Sequence, residues 1–238
     1  MSEHQTIAAR FGHVNTWVFD LDNTLYPPHC NLFAQVDQRM TAFIADLLNL
    51  ERGEARNLQK DYYRNYGTTL HGLMQVHNVD PHTFLDYVHD IDHSPIEPDP
   101  ALGSVLAELP GRKLIYTNGS VAHAEAVIER LGIAHHFEET FDIVAAEFEP
   151  KPHRGPYERF VERFDVDPAN SAMFEDLPRN LEVPHALGML TVLVTGKEKL
   201  PDNRSAWEVA GDEREHIHHI TDDLASFLAD IIAPPPPS

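Results

Sequence analysis

The sequence predicts an α/β protein with a three-layer, Rossmann-like core: a parallel sheet covered by helices on both faces, with an all-helical domain inserted after the first strand. Two patterns predict this. From residue 96 onward, short apolar runs alternate with segments of helical periodicity, which is typical of strands and helices in a parallel sheet. Between residues 28 and 95 the periodicity is helical, and prolines stand at both ends of the segment.

The first predicted strand, Trp17 to Asp20, ends in carboxylates. The stretch reads VFDLDNTLYPP, so Asp20 and Asp22 stand two residues apart. Burying such a pair is costly, because carboxylates lose hydration and repel each other. Strands therefore tolerate these charges mainly at their tips, which is also where α/β sheets bind ligands. Asp20 and Asp22 are candidate functional residues for this reason.

The segment after the first strand is predicted to be helical. Apolar residues recur at steps of three and four over 32–48, the pattern of an amphipathic helix. Weaker helical patterns cover 52–66, 69–78 and 81–91, and the prolines of PIEPDP at 95–100 end the segment. The predicted organisation is a core of residues 1–27 and 96–233, a helical insert of 28–95, and a disordered proline-rich tail of 234–238.

The remaining elements are predicted to alternate. Helices are expected at 98–109, 120–131, 155–164, 178–187 and 222–232. Strands are expected in the KLIY run before Thr117, at 141–146, 171–176 and 189–194, and around 218–220. In a parallel sheet with this alternation, ligands bind beyond the carboxyl ends of the strands.

Four segments at or just after predicted strand ends carry residues suited to phosphate chemistry. They are Asp20 with Asp22, the run Thr117-Asn118-Gly119, Lys151 in EPKPH, and Glu175 with Asp176 in FEDLPRN. Hard carboxylate oxygens suit Mg²⁺, which binds one or two carboxylates together with substrate phosphate. A lysine and backbone N–H groups can hold the remaining phosphate oxygens. Each motif alone would have an ordinary explanation, such as a turn or a helix cap, but such explanations leave their shared position unexplained.

The four motifs resemble, in order and setting, those of the haloacid dehalogenase superfamily of phosphohydrolases. That superfamily is marked by an Asp-x-Asp strand end, a Ser/Thr strand end, a lysine and an acidic pair. The resemblance covers nearly the whole chain and implies that the helical insert is a cap domain. Within the superfamily, DLDNTLYP and YGTTLHGL (66–73) resemble the pyrimidine 5′-nucleotidase-like branch.

The resemblance implies a role for each motif residue. Asp20 would be the nucleophile that forms an aspartyl-phosphate, and Asp22 would be the general acid and base. Thr117 and Asn118 would bind phosphate together with Lys151, which would also neutralise developing charge. The Mg²⁺ ligands would be Asp20, the backbone carbonyl of Asp22, Glu175 directly or through water, and Asp176, with Asn180 or Arg179 orienting them.

The predicted function is Mg²⁺-dependent hydrolysis of a small phosphomonoester, with a pyrimidine nucleoside 5′-monophosphate as the first candidate. Asp22 favours phosphoryl transfer, because a dehalogenase of this superfamily would not need an acid/base carboxylate there. The alternatives are a sugar-phosphate or phosphoglycolate-like substrate, a phosphomutase, and a non-catalytic binding protein on the same fold. Tyr66, Thr69 and His71 in the YGTTLHGL stretch are candidates for substrate specificity, with cap packing as the other interpretation of that stretch.

The composition limits the classes of partner and the compartment expected for the protein. The net charge of −20 argues against a nucleic-acid polymer or an anionic membrane as the main partner. No apolar run is long enough for a membrane span, and the first residues contain no signal-peptide pattern. The single cysteine, Cys30, suits a reducing compartment, so a cytoplasmic protein is expected. The 16 histidines show no clear zinc-ligand spacing and are expected to be surface or packed residues. The sequence does not indicate an oligomeric state.

Overall fold

A computed structural model describes residues 7–196 and 215–233. Its strands are β1 (Thr16–Phe19), β2 (Arg112–Tyr116), β3 (Glu139–Phe141), β4 (Ser171–Glu175), β5 (Leu190–Val194) and β6 (His219–Thr221). They form a six-stranded sheet in the order β3-β2-β1-β4-β5-β6, in which all neighbouring pairs are parallel. The strand order reverses beside β1, and such a switch point is where open α/β sheets bind ligands. The predicted Rossmann-like α/β fold is confirmed.

The described residues form ten α-helices, several of which begin after a residue whose side chain caps the first turn. They are α1 (Ile7–Phe11), α2 (Leu32–Leu48), α3 (Arg52–Tyr66), α4 (Thr69–His77), α5 (Pro81–His89), α6 (Pro100–Glu108), α7 (Val121–Leu131), α8 (Arg154–Phe164), α9 (Glu182–Leu187) and α10 (Leu224–Ile232). At α5 and α6 a proline occupies the first turn, and the preceding residue, Asp80 or Asp99, accepts a backbone N–H with its side chain. Proline fits this position because its missing N–H would have no partner there.

The central strand divides the core into two layers. Trp17 and Phe19 belong to a cluster with residues of α1, α6, α7 and α10, whereas Val18 belongs to a cluster with residues of α8. Successive side chains of a strand point to opposite faces, so one short strand contributes to both layers. All three side chains are at most 1% exposed, and burying each stabilises the fold by about 1.5–3 kcal/mol.

The segment between β1 and α6 is all-helical, as predicted, and α2 to α5 share a core of their own. Val36, Ile44, Leu73 and Phe84 lie in that cluster, which also receives Ile143 from the core side. The boundaries of this insert at 28 and 95 stay a prediction.

Two predicted elements differ from the structure. The strand predicted at 141–146 is wrong in position, because β3 ends at Phe141 and the chain then turns. Asp142 causes the turn: its carboxylate accepts the N–H groups of Ala145 and Val121 at 2.8 and 3.0 Å. The helix predicted at 178–187 begins with a 3-10 turn over Pro178–Leu181 before α9. The predicted tail, 234–238, lies outside the described residues.

Candidate active site

Asp20 lies one residue beyond the central strand and is held from three directions. Its N–H donates to the carbonyl of Phe174 at 2.9 Å, which extends the β1–β4 pairing by one residue. Its Oδ1 accepts a hydrogen bond from Lys151 Nζ at 2.8 Å, and its Oδ2 accepts one from Thr24 Oγ1 at 3.0 Å. The strand fixes the backbone and the two donors fix the carboxylate, so Asp20 is preorganised.

Lys151 is a buried ammonium with three acceptors. Nζ donates to Asp20 Oδ1 at 2.8 Å, to the carbonyl of Tyr116 at 2.9 Å and to Glu175 Oε1 at 2.9 Å. An ammonium has three protons, so its hydrogen-bonding capacity is filled. Burial works against the charge, but Asp20 and Glu175 outweigh it and raise the pKa of Lys151. Lys151 is therefore cationic and joins the end of β1 to the end of β4.

Three buried carboxylates could hold a cation. Oxygens of Asp20, Glu175 and Asp176 lie within 4.8 Å of one another. Glu175 is already engaged by the protein, since Oε1 accepts from Asn180 Nδ2 at 2.6 Å as well as from Lys151, and Oε2 accepts from Leu177 N–H at 2.6 Å. The set of hard oxygen donors fits Mg²⁺. The bond from Asn180 helps to orient the Glu175 carboxylate.

The charges around Asp20 are not balanced by Lys151 alone. Burial, together with the neighbouring charges of Glu175 and Asp22, raises the pKa of Asp20 to about 7, although Lys151 partly offsets the rise. A cation bound at this position would favour the ionised form and lower that pKa.

Asp22 has two protein donors on the same oxygen. Oδ1 accepts hydrogen bonds from the Tyr26 hydroxyl at 2.5 Å and from His123 Nε2 at 3.0 Å. Burial alone would raise the pKa of Asp22, but the charge of His123 and these hydrogen bonds lower it to about 2. Sequence reasoning missed both partners. The four-residue spacing of Asp22 and Tyr26 is a local signal, whereas His123 lies 101 residues further on and has none.

Thr117 and Asn118 follow β2 at the same edge of the sheet. Thr117 is 1% exposed, and its Oγ1 accepts the Gly119 N–H at 2.9 Å. Asn118 Oδ1 accepts the backbone N–H of Lys151 at 2.9 Å. This bond fixes the Lys151 backbone beside the end of β2, so the second and third sequence motifs are directly connected.

A cavity of about 310 Å³ opens between this edge and the helical insert. Six of the residues predicted to act in catalysis, phosphate binding or metal binding line it: Asp20, Asp22, Asn118, Lys151, Glu175 and Asp176. The insert contributes an apolar wall that includes Val36 and Leu85, and polar groups that include Gln59 and Tyr63. The guanidinium of Arg179 lies 4.8 Å from the centre of the Tyr63 ring, so core and insert meet at the cavity wall.

The three specificity candidates occupy different places. Thr69 lines the cavity, whereas Tyr66 and His71 are not among the described residues that line it. His71 Nδ1 lies 3.2 Å from the carbonyl of Phe148, in the loop that leads to Lys151. In α3, Tyr62 is 7% exposed and packs in the core of the insert, whereas Tyr63 lines the cavity.

Comparison with known proteins gives one family and one fold. A family model described as haloacid dehalogenase-like hydrolase matches residues 14–188. A Saccharomyces cerevisiae protein, phosphate metabolism protein 8, is 30% identical over 135 residues. That match covers 50% of this chain and 40% of the yeast protein, so this chain spans less than half of its relative.

Solved structures share the fold at low sequence identity. A HAD phosphatase from Thermococcus onnurineus has a TM-score of 0.59 at 14% identity, and the match covers 92% of this chain and 98% of that one. The putative HAD-hydrolase YfnB from Bacillus subtilis, solved bound to magnesium, has a TM-score of 0.54 at 11% identity, with the same coverage. A 2-haloacid dehalogenase from Pseudomonas syringae pv. tomato also scores 0.54, at 16% identity and the same coverage. No helix within the described residues is long and apolar enough to cross a membrane.

Proposed function

This chain belongs to the haloacid dehalogenase-like hydrolase family, and we propose that it is a Mg²⁺-dependent phosphatase that hydrolyses a small phosphomonoester. The observation that carries the proposal is the meeting of Asp20, Asp22, Lys151 and Asp176 at one cavity. A nucleophile, an acid/base, a fixed cation and a metal-binding carboxylate are the groups that phosphoryl transfer needs.

The proposed first step occurs on Asp20. Its carboxylate attacks phosphorus, the bond from phosphorus to the ester oxygen breaks, and Asp22 gives that oxygen a proton. Asp22 is ionised in the free protein, and the arrival of a negatively charged phosphate beside it raises its pKa, because like charges disfavour ionisation. A substrate monoanion can bring the proton that Asp22 then delivers, since the second pKa of a phosphomonoester is about 6.

The second step regenerates Asp20. Water attacks the phosphorus of the aspartyl-phosphate, Asp22 takes the proton from that water, and the bond between phosphorus and Asp20 breaks to release inorganic phosphate. Lys151 Nζ lies 2.8 Å from Asp20 Oδ1 in the free protein, so its charge is placed to stabilise the carboxylate as it leaves. Thr117 and the Asn118 N–H are proposed to hold the phosphate oxygens in both steps.

The metal is assigned to the buried carboxylates. Asp20 and Asp176, with the carbonyl of Asp22, would bind Mg²⁺ directly, and Glu175 would act through water because protein donors occupy its oxygens. When bound, Mg²⁺ would neutralise charge on the phosphate and its nucleophile. The Bacillus subtilis protein of the same fold was solved bound to magnesium, which agrees with this assignment.

Phosphoryl transfer is favoured over dehalogenation by Asp22. A carboxylate held by two donors at the cavity is suited to moving a proton, a task that a dehalogenase would not require at this position. The name of the yeast relative, a phosphate metabolism protein, points the same way.

A nucleoside 5′-monophosphate, with a pyrimidine base, is the first candidate substrate. The support is the resemblance of DLDNTLYP and YGTTLHGL to that branch, and a cavity whose volume lies in the range of small-molecule sites. Residues 28–95 are assigned as the cap over this cavity, with Thr69, Tyr66 and His71 as candidates for selecting the leaving group. A sugar phosphate or phosphoglycolate-like acid is the second candidate, and a phosphomutase would use the same aspartyl-phosphate.

The test is a screen of nucleotides and sugar phosphates with and without Mg²⁺, in which released phosphate is measured for the wild type and for Asp20→Asn. Asp20→Asn should abolish hydrolysis while the protein stays folded, as judged by circular dichroism. The matched control is Asp86→Asn, which makes the same change at an exposed position of α5 and should retain activity. Full activity of Asp20→Asn would overturn the nucleophile assignment.

A further inference from the structure

A series of contacting side chains connects Asp22 to residues 90–99. These residues return the backbone from the insert to the core and are called here the return segment. His123, the third residue of α7, has a fully buried side chain, and its Nε2 lies 3.0 Å from Asp22 Oδ1. Its Nδ1 lies 3.2 Å from Nε2 of His93 in the return segment. His89, the last residue of α5, stacks on the same ring with centroids 4.7 Å apart. The imidazole of His123 is therefore held at both nitrogens and on one face.

The chemistry of the carboxylate sets the direction of these bonds. An ionised carboxylate can only accept, so His123 Nε2 donates to Asp22 Oδ1, as the Tyr26 hydroxyl does. Within the described residues, the hydrogen bonds to this carboxylate fall on Oδ1. Oδ2 is thus the oxygen left to exchange a proton, and the two donors decide where it lies.

The return segment is anchored on two sides. Arg130, on the same helix as His123, donates to the carbonyls of Ser94 and Ile96 at 3.0 and 2.9 Å. From the insert, Gln35 on α2 exchanges two hydrogen bonds with the backbone of Asp92, at 2.9 and 3.0 Å. The position of the return segment, and with it of His93, therefore depends on both the core and the insert.

The three histidines do not form a metal centre of their own. Among the described residues, the groups placed to hold an ion are Asp20, Glu175 and Asp176. His123 instead has the features of a residue that orients another: it is buried, bonded at both nitrogens and packed against a third ring.

We propose that His123 is a positioning residue for Asp22. His123, whose other ring nitrogen contacts His93, holds the carboxylate so that Oδ2 faces the leaving oxygen. The orientation of the Asp22 carboxylate therefore depends on the position of the return segment. This inference rests on the proposed phosphatase function, in which Asp22 protonates the leaving group.

The test compares two esters whose leaving groups need protonation to different degrees. Phenyl phosphate has a poor leaving group that depends on the acid, whereas 2,4-dinitrophenyl phosphate has a good one that does not. In a two-step mechanism kcat/KM reports the steps up to the aspartyl-phosphate, so it isolates the protonation. His123→Ala should lower kcat/KM for phenyl phosphate at least about 10-fold more than for the dinitrophenyl ester, since general acid catalysis contributes about 10²–10⁴-fold. His93→Ala should shift the ratio in the same direction by less.

The ratio of the two kcat/KM values is measured on one preparation, so it does not depend on the folded fraction. His123→Gln places an amide N–H near the position of Nε2 and should restore most of the ratio. His135→Ala, at an exposed position after α7, is the control for loss of a histidine and should leave the ratio unchanged. If His123→Ala lowered kcat/KM by the same factor for both esters while Asp20→Asn was inactive, the positioning role alone would be overturned. Retained hydrolysis in Asp20→Asn would overturn the proposed function instead.

Discussion

Replacing Lys151 with methionine should damage both stability and activity, and the structure sets the size of each effect. Methionine keeps much of the apolar stem and removes the charge. Lys151 is 1% exposed and donates to Asp20 and Glu175, so the substitution leaves two buried carboxylates without their cation. Removing one partner of a buried ion pair costs about 3–5 kcal/mol.

The loss of stability in Lys151→Met should depend on pH. Asp20 has a pKa raised to about 7 by burial and by its neighbours, and the loss of Lys151 removes the group that offsets this rise. Below that pKa, Asp20 takes up a proton and no longer needs a cation. The loss in the free energy of unfolding should therefore approach about 3–5 kcal/mol at pH 8 and be clearly smaller at pH 5.5. Urea denaturation without metal at the two pH values measures it.

The loss of activity should be about 10²–10³-fold in kcat on an aryl phosphate, the amount typical of removing a preorganised electrostatic group. The control is Arg154→Met, which breaks the exposed pair with Glu158 and should cost less than about 1 kcal/mol without affecting kcat. A stability loss below about 1 kcal/mol at pH 8, or a kcat within 10-fold of wild type, would refute the role assigned to Lys151.

Mg²⁺ should raise the melting temperature more at pH 8 than at pH 5.5. The folded-state pKa of Asp20, about 7, lies above its unfolded value of about 3.9, so the metal-free protein loses stability as pH rises through this window, and Mg²⁺ restores it by replacing the proton. Equal shifts in a thermal denaturation scan at the two pH values would contradict this assignment. Gly72→Ala should destabilise the protein by about 1–3 kcal/mol, because an added Cβ would lie 2.5 Å from Cβ of Tyr62. Gly53→Ala, whose added Cβ would meet no described atom within 4 Å beyond its chain neighbours and its own helix backbone, should be neutral or stabilising by up to about 1 kcal/mol in the same urea titration. Similar losses in both variants would refute the packing argument.

The fold and the positions of the four motifs were predictable because their signals are local. The apolar run before Asp20 marks β1, and Pro81 and Pro100, each after an aspartate, mark the starts of α5 and α6. The parallel alternation then brings the strand ends to one edge, so residues separated by more than 100 positions, such as Asp20 and Lys151, meet without any direct sequence signal between them.

The strand predicted at 141–146 shows where local sequence patterns fail to predict the structure. The stretch FDIVAA is apolar enough for a strand. The Asp142 carboxylate, however, accepts hydrogen bonds from the N–H groups of Ala145 and Val121, and these bonds favour a turn over continued strand pairing. The partners of Asp22 show a second limit. His123 contacts Asp22 because α7 begins beside β1 in three dimensions, and an isolated histidine on an amphipathic helix gives no indication of that.

Asp20 should become covalently phosphorylated during turnover. Borohydride reduces an aspartyl-phosphate to homoserine, so adding it to the enzyme while it hydrolyses an aryl phosphate with Mg²⁺, then sequencing the peptides by mass spectrometry, locates the phosphorylated side chain. Homoserine is expected at position 20, and it should be absent without substrate and absent in Asp20→Asn. An unmodified Asp20 in enzyme trapped during rapid turnover, or homoserine at another aspartate, would contradict it.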